Sequence, residues 1–388
     1  MRKKKRVCFF TGSRSEYGLI RDLLRKIEKD KIFALYLSVI GSHFSKEHGN
    51  TKKEILKDKF KNISFLKTKI YNERADLTLS LAILSKKISK YLKSLKPDLV
   101  VFMGDRFEML PVINTCLLMN IPIAHISGGN ISEGSVDNQI RNMATKASHI
   151  HFVANKEFRN RLIKMGEESW RICVSGEPGL DGIRKKIVNK KKLFNNLKIN
   201  KNKKIALFAY HPETLLEEKK FKVKVKKLFN NLRLLQNKFK IFFIITYPNN
   251  DSGYKVIIHE IKKFAKGNFN CSVIRNLGRN YFLSCMKYCD FLIGNSSSSF
   301  YEAPAFNLPA IVVGDRQKGR LAAKNIHYSS YESKKIILNV KKCLKYNRNK
   351  KIRNPYGNYK AIHKIIKMLQ KILKYKTTKQ ILSKKFID

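Results

Sequence analysis

The sequence predicts an α/β protein built from two doubly wound, Rossmann-like domains that face each other across a cleft. Three observations carry that expectation. A chain of 388 residues is too long for one small core and suits two domains. Short apolar runs rich in β-branched and aromatic residues alternate with amphipathic helical stretches, the pattern of parallel sheets covered on both faces. The alternation pauses at a Lys/Asn-rich stretch, Arg184–Lys204, and then starts again. An apolar content of 43% with 11% aromatic residues is enough to fill two cores and excludes wholesale disorder.

In the first half the strands read Arg6–Thr11, Phe33–Ile40, Asp98–Met103, Pro122–Ile126, His149–Val153 and Arg171–Val174. Helical segments between them include Glu16–Lys29, Arg106–Met119, Asp137–Ala147 and Lys156–Met165. Residues 184–204 read as a linker with some helix. Strands then recur at Ile205–Ala209, Lys240–Thr246, Cys271–Ile274, Phe291–Ile293 and Pro309–Val313, with helices near Glu217–Gln236, Ser252–Ala265 and Arg279–Lys287. A last amphipathic helix, roughly Tyr359–Tyr375, is expected to pack back on the first domain, with a frayed tail after it. The expected domains are 1–183 and 184–357, followed by the returning helix and tail at 358–388.

Composition narrows the function. No apolar run approaches the roughly 18–20 residues of a membrane span, and only Val7–Phe10 follow the basic start, too few for a signal-peptide core. The chain reads as soluble and cytoplasmic. Seven scattered cysteines suggest reduced thiols, and no second Cys or His pair completes a metal site around Cys285 and Cys289. Lys+Arg number 81 against 29 Asp+Glu, a formal charge of +52. The basic residues are spread along the chain, with 18 of them after residue 330, and no nucleic-acid module accompanies them. A lysine-biased surface is the expected meaning, with steering of an anionic nucleotide as a secondary one.

Ligands of doubly wound sheets gather at the carboxyl ends of strands. After the first strand, Thr11–Gly18 lacks the Gly-x-Gly-x-x-Gly fingerprint, so a nicotinamide cofactor is not expected. The turn still offers backbone N–H groups to an anion, and Arg14 adds a phosphate donor. After the third strand, Asp105 should sit at the cleft floor with Arg106 beside it. The segment after the fourth strand, His125–Asp137, holds Gly128-Gly129 and two acids four apart, Glu133 and Asp137. Asp105 and Asp137 could equally cap a helix.

In the second half His211 lies just past a strand end, where an imidazole can move protons near neutral pH. Gly294–Pro304 sets consecutive serines, among them Ser296 and Ser297, at a helix start suited to a diphosphate, with Glu302 placed to accept from ribose hydroxyls. The same segment approaches a nucleophile elbow, but the chain order of Ser, acid and His does not suit a hydrolase triad. Gly314–Arg320 brings Arg316 and Arg320 toward the same cleft.

Together the segments GSRSEYG (12–18), VIGSHFSKEHGNT (39–51), GDRFEML (104–110), HISGGNISEGSVDNQIRNMATKASHIHFVA (125–154), YHPET (210–214), GNSSSSFYEAP (294–304) and GDRQKGR (314–320) resemble the hydrolysing UDP-N-acetylglucosamine 2-epimerases, in order from about residue 5 to about 370. The resemblance implies a two-domain fold of the glycosyltransferase-B type and a reaction needing neither metal nor cofactor. UDP would leave by elimination across C1–C2 to give a 2-acetamidoglucal, and water would add to release N-acetylmannosamine. It implies catalytic roles for Asp105, Asp137 and His211, with nucleotide contacts at Arg14, Arg106, Ser296, Ser297 and Arg316. Glu302 would meet the ribose, and His43 would line the site. A homodimer or homotetramer is the usual assembly of the family it resembles.

Four positions depart from that family's pattern. Ser127 and Asn130 stand where it usually has Glu, Asn142 where it usually has His, and Ser299 where it usually has Gly. Glu133 is the expected substitute for the missing proton-transfer group. The same chemistry on UDP-N,N′-diacetylbacillosamine or a GDP-linked amino sugar, a glycosyltransferase and a non-catalytic nucleotide-sugar binder are the alternative readings.

Overall fold

The computed structural model describes residues 3–45, 47, 50–68, 74–357 and 360–387. Residues 46, 48 and 49 of the 39–51 motif, and Tyr359 at the expected start of the last helix, lie outside the described residues. The chain divides into two compact units. The first comprises Met1–Asn130, Asp137–Asp181 and Tyr356–Asp388, and the second comprises Ile131–Val136 and Gly182–Pro355.

Among the described residues the sheet of the first unit has seven strands: β1 (Lys5–Thr11), β2 (Phe33–Val39), β3 (Ile63–Phe65), β4 (Leu99–Met103), β5 (Ile123–Ile126), β6 (Ile150–Val153) and β7 (Ile172–Val174). Their spatial order is β3-β2-β1-β4-β5-β6-β7, and every pairing is parallel. Helices α1 (Arg14–Lys29), α2 (Lys52–Lys57), α3 (Arg74–Leu95), α4 (Leu110–Leu118), α5 (Asp137–Ala147) and α6 (Lys156–Lys164) connect them. Strand residues alternate between two cores. Val7, Phe9, Leu99 and Val101 pack on one face, and Cys8, Phe10, Val100 and Phe102 on the other. That is why these strands read as unbroken apolar runs. The edge strand β3, which the sequence reading did not expect, has three half-buried residues and so carries no such run.

The second unit holds α7 (Lys190–Asn196), β8 (Lys204–Ala209), α8 (Glu218–Phe239), β9 (Ile241–Thr246), α9 (Tyr254–Ala265), β10 (Cys271–Ile274), α10 (Gly278–Tyr288), β11 (Phe291–Gly294), α11 (Ser298–Tyr301), β12 (Ala310–Val313), β13 (Ile326–Ser329) and α12 (Ser333–Leu344). Its parallel strand order is β10-β9-β8-β11-β12-β13. Both sheets therefore reverse direction once, between β1 and β4 and between β8 and β11. Those switch points are where such sheets open a crevice for ligands.

Two features differ from the expected domain pattern. Residues 131–136 leave the first unit and run against the loop after β12, where the Glu133 N–H donates to Lys318 O at 3.0 Å. A Cβ on Gly134 would lie 2.2 Å from Asp315 O, so that approach requires glycine. The tail, expected to be frayed, carries a further short helix and polar contacts. After α13 (Ala361–Tyr375), whose Ile365, Leu369 and Ile372 enter the first core, comes the short helix α14 (Thr378–Leu382). The fully buried Arg171 donates to Ile381 O at 2.7 Å and Ser383 O at 2.6 Å, and Lys384 reaches Ser148 O at 2.6 Å. Buried donors that need carbonyl partners hold this segment down.

Candidate active site

In the first unit the loops after β1 and β4 meet at the switch point, and the structure reassigns their charges. Asp105 pairs with Arg141 of α5. Arg141 is 1% exposed and also donates to Asn130 O at 3.0 Å and to Asn138 Oδ1 at 3.4 Å. It sits one turn after the half-buried Asp137 that opens α5, so one helix end carries Asp137 and anchors Asp105. Local spacing does not mark Arg141 as a site residue. Its only signal was an arginine on the apolar stripe of α5, with Ile140 and Ala144.

Arg106 forms a two-point pair with the buried Glu108, at 3.2 Å to each carboxylate oxygen. The turn at Phe107–Met109 folds Glu108 back under the guanidinium, which fits a planar carboxylate. The loop after β1 also departs from expectation. The Glu16 carboxylate accepts the N–H groups of Gly12 and Ser13 at 2.8 and 3.0 Å, occupying donors expected to face an anion. Burial, reinforced by Glu108, pushes the Glu16 carboxyl up to about 8. Burial also draws Arg14 down to about 10, against the pull of Glu54. His43 is fully buried, with Nε2 3.1 Å from Thr11 Oγ1 and Nδ1 2.7 Å from Thr51 Oγ1. Burial lowers it to about 3, so its ring is neutral.

The second unit gathers four strand ends. The His211 N–H donates to Asn295 Oδ1 at 2.7 Å, and Asn295 Nδ2 returns a bond to His211 O at 2.9 Å. The Asn249 N–H donates to His211 Nδ1 at 3.1 Å, which fixes the neutral ring as the Nε2–H tautomer. Gln317 donates to Asn295 O at 3.0 Å, and Arg316 Nε to Pro212 O at 3.2 Å. Arg316 also approaches the buried Asp251 at 3.7 Å. Gly294 makes the junction possible, since a Cβ there would lie 2.0 Å from Ala209 O. Asn295 and Gln317 hold this loop with uncharged side chains and Asn249 with its backbone N–H, so no charge pattern in the sequence marks them.

Ser296 follows Asn295 directly and shares its hydroxyl with Ser298 at 2.9 Å, while Ser297 precedes the single turn of α11. Glu302 is buried, and Arg279 lies 3.3 Å from it. Burial raises its carboxyl and Arg279 opposes that shift. Glu133 is half-exposed beside Lys318 at 3.6 Å. Among the departures, Ser127 adopts φ +72 and donates to Glu177 at 2.6 Å, and Asn130 is buried with its carbonyl on Arg141. Asn142 is exposed on α5. Ser299 is helical with no positive φ, so replacing glycine there costs no backbone strain.

The sequence profile described as UDP-N-acetylglucosamine 2-epimerase matches residues 25–370. The chain belongs to that family. It is 36% identical over 327 residues to the GDP/UDP-N,N′-diacetylbacillosamine 2-epimerase (hydrolyzing) of Campylobacter jejuni, spanning 83% of this chain and 84% of the relative. It is 31% identical over 371 residues to the UDP-N,N′-diacetylbacillosamine 2-epimerase (hydrolyzing) of Legionella pneumophila, spanning 95% and 96%. A UDP-N-acetylglucosamine 2-epimerase of Neisseria meningitidis is 32% identical over 334 residues, 86% of each chain. The solved Neisseria meningitidis enzyme bound to UDP-GlcNAc superposes with a TM-score of 0.78 at 20% identity, over 94% of this chain and 100% of that one. The expected two-domain α/β fold of the glycosyltransferase-B type therefore holds. As a family member, the chain is a nucleotide-sugar 2-epimerase. No helix among the described residues is long and apolar enough to cross a membrane.

Proposed function

We propose that this epimerase is hydrolysing: UDP leaves a UDP-linked 2-acetamido sugar by elimination across C1–C2, and water adds to the 2-acetamidoglucal to release the free 2-epimer. The observation that carries the reading is Asp105, tied to α5 by Arg141 one turn after Asp137, at the carboxyl edge of the first sheet. Two carboxylates supported by one helix end suit removal and return of the C2 proton. His211, held as the Nε2–H tautomer, is assigned to proton donation as UDP departs. Ser296, Ser297 and Arg316 are assigned to the nucleotide with Arg14 and Arg106, and Glu302 to the ribose. His43 supports the wall behind Thr11, and Glu133 remains a candidate proton carrier.

UDP-N,N′-diacetylbacillosamine is the first substrate to try, supported by the names of the relatives at 36% and 31% identity. UDP-N-acetylglucosamine is the second reading, supported by the Neisseria relative at 32%. The protein is proposed to act in the cytoplasm as a homodimer or homotetramer. The test is a proton NMR time course with each sugar nucleotide in D₂O. UDP together with a free 2-epimer deuterated at C2 is the expected outcome. Undeuterated sugar of unchanged configuration would refute elimination.

A further inference from the structure

Glu177 has no role in the chemistry assigned above, yet it is held as a reacting group would be. It follows Gly176 (φ +88) just beyond β7, is 4% exposed, and accepts the Ser127 hydroxyl hydrogen at 2.6 Å. Ser127 is the first residue past β5, so the pair spans the end of β6 along the carboxyl edge of the sheet. Its N–H stays in the ladder, donating to Phe152 O at 2.9 Å, while its φ of +72 is one a residue with a Cβ seldom adopts. Backbone strain held at a ligand-binding edge points toward function. Elsewhere in this unit a buried serine such as Ser148 bonds a carbonyl one helical turn away, Ala144 O at 2.7 Å. Ser127 instead reaches a carboxylate 50 residues distant. Three residues on, Asn130 O accepts from Arg141, which holds Asp105.

We propose that Ser127 and Glu177 form the proton relay that activates water in the hydration half of the reaction. The inference rests on the hydrolysing reading and supplies that reading's missing base. The water oxygen bonds to C1 of the 2-acetamidoglucal as one of its hydrogens passes to Ser127 Oγ. Ser127's own hydrogen passes to Glu177, which becomes a carboxylic acid, and Ser127 ends as a neutral hydroxyl. The C1=C2 electron pair takes a proton at C2 from the Asp105 and Asp137 side. Glu177 then returns its proton to solvent. Ser127 is the catalytic residue of the pair, and Glu177 acts through it.

The test is Glu177→Gln in the full chain, which keeps an oxygen to accept from Ser127 but cannot take its proton. Formation of UDP and of free sugar is followed separately by proton NMR through the first turnover. Free sugar should form about 10²-fold more slowly, while UDP release stays within about tenfold of wild type and the vinylic C1 hydrogen of the 2-acetamidoglucal accumulates. Ser127→Ala should show the same split, which keeps the test valid if Glu177→Gln does not fold. UDP and sugar slowed by equal factors, or neither slowed, would overturn the relay and leave the epimerase reading standing. Wild-type protein that releases no UDP from either sugar nucleotide would overturn both.

Discussion

Replacing Arg141 by methionine keeps the length and apolar stem of the side chain but removes the cation that holds Asp105. Arg141 is 1% exposed and contacts Asp105, Asn130 O and Asn138. Breaking a buried ion pair from one side costs 3 to 5 kcal/mol because the remaining charge is left uncompensated. The Asp105 side chain is 24% exposed and regains some hydration, so about 3 kcal/mol is expected. For a unit of about 200 residues each kcal/mol corresponds to roughly 2–4 °C, so the first unit should melt about 6–12 °C lower. Scanning calorimetry of the whole chain reads that shift. Turnover should fall about 10²-fold, because Asp105 loses its orientation along with its partner. Arg141→Lys should recover only part of each loss, since one ammonium cannot span acceptors that a planar fork reaches together. A melting point within 2 °C of wild type, with unchanged turnover, would refute the claim that Arg141 positions Asp105.

Three further outcomes follow from other parts of the molecule. A Cβ on Gly314 (φ +81) would lie 1.9 Å from Glu213 Oε1 and 2.4 Å from the Tyr331 hydroxyl, so Gly314→Ala should destabilise the second unit by about 2–3 kcal/mol. Urea unfolding followed in the second unit checks it. Glu16 sits at about 8 when folded against an ordinary 4.5, so the folded state holds the extra proton across that window and stability falls as pH rises through it. Glu16→Gln can still accept from Gly12 and Ser13, and should raise stability by roughly 2–4 kcal/mol at pH 8 and by less than about 1 kcal/mol near pH 5. A gain equal at both pH values would contradict that account. Removing residues 377–388 strips Arg171 of Ile381 O and Ser383 O, so the truncated chain should melt about 5–10 °C lower. An unchanged melting point would mean the tail is only laid against the surface.

The class of fold and the strand ends that carry chemistry are legible in the residue pattern alone. Alternation of apolar residues through two cores makes each central strand continuously hydrophobic, as in Val7–Phe10 and Leu99–Met103. The carboxyl ends of those strands could therefore be read directly, and Asp105 and His211 stand at the two switch points. Edge strands β3 and β13 escaped notice because half-exposed residues break that pattern. Which charge meets which is set by the folded chain. Arg106 and Asp105 are neighbours in sequence, yet one pairs with Glu108 and the other with Arg141, 36 residues away. Glu16 takes backbone donors that a local reading leaves open to a phosphate. Ser127 meets Glu177 only because β5, β6 and β7 lie side by side. Pairing of polar groups is set by three-dimensional proximity and by the cost of leaving a buried charge alone, and neither is written in local spacing.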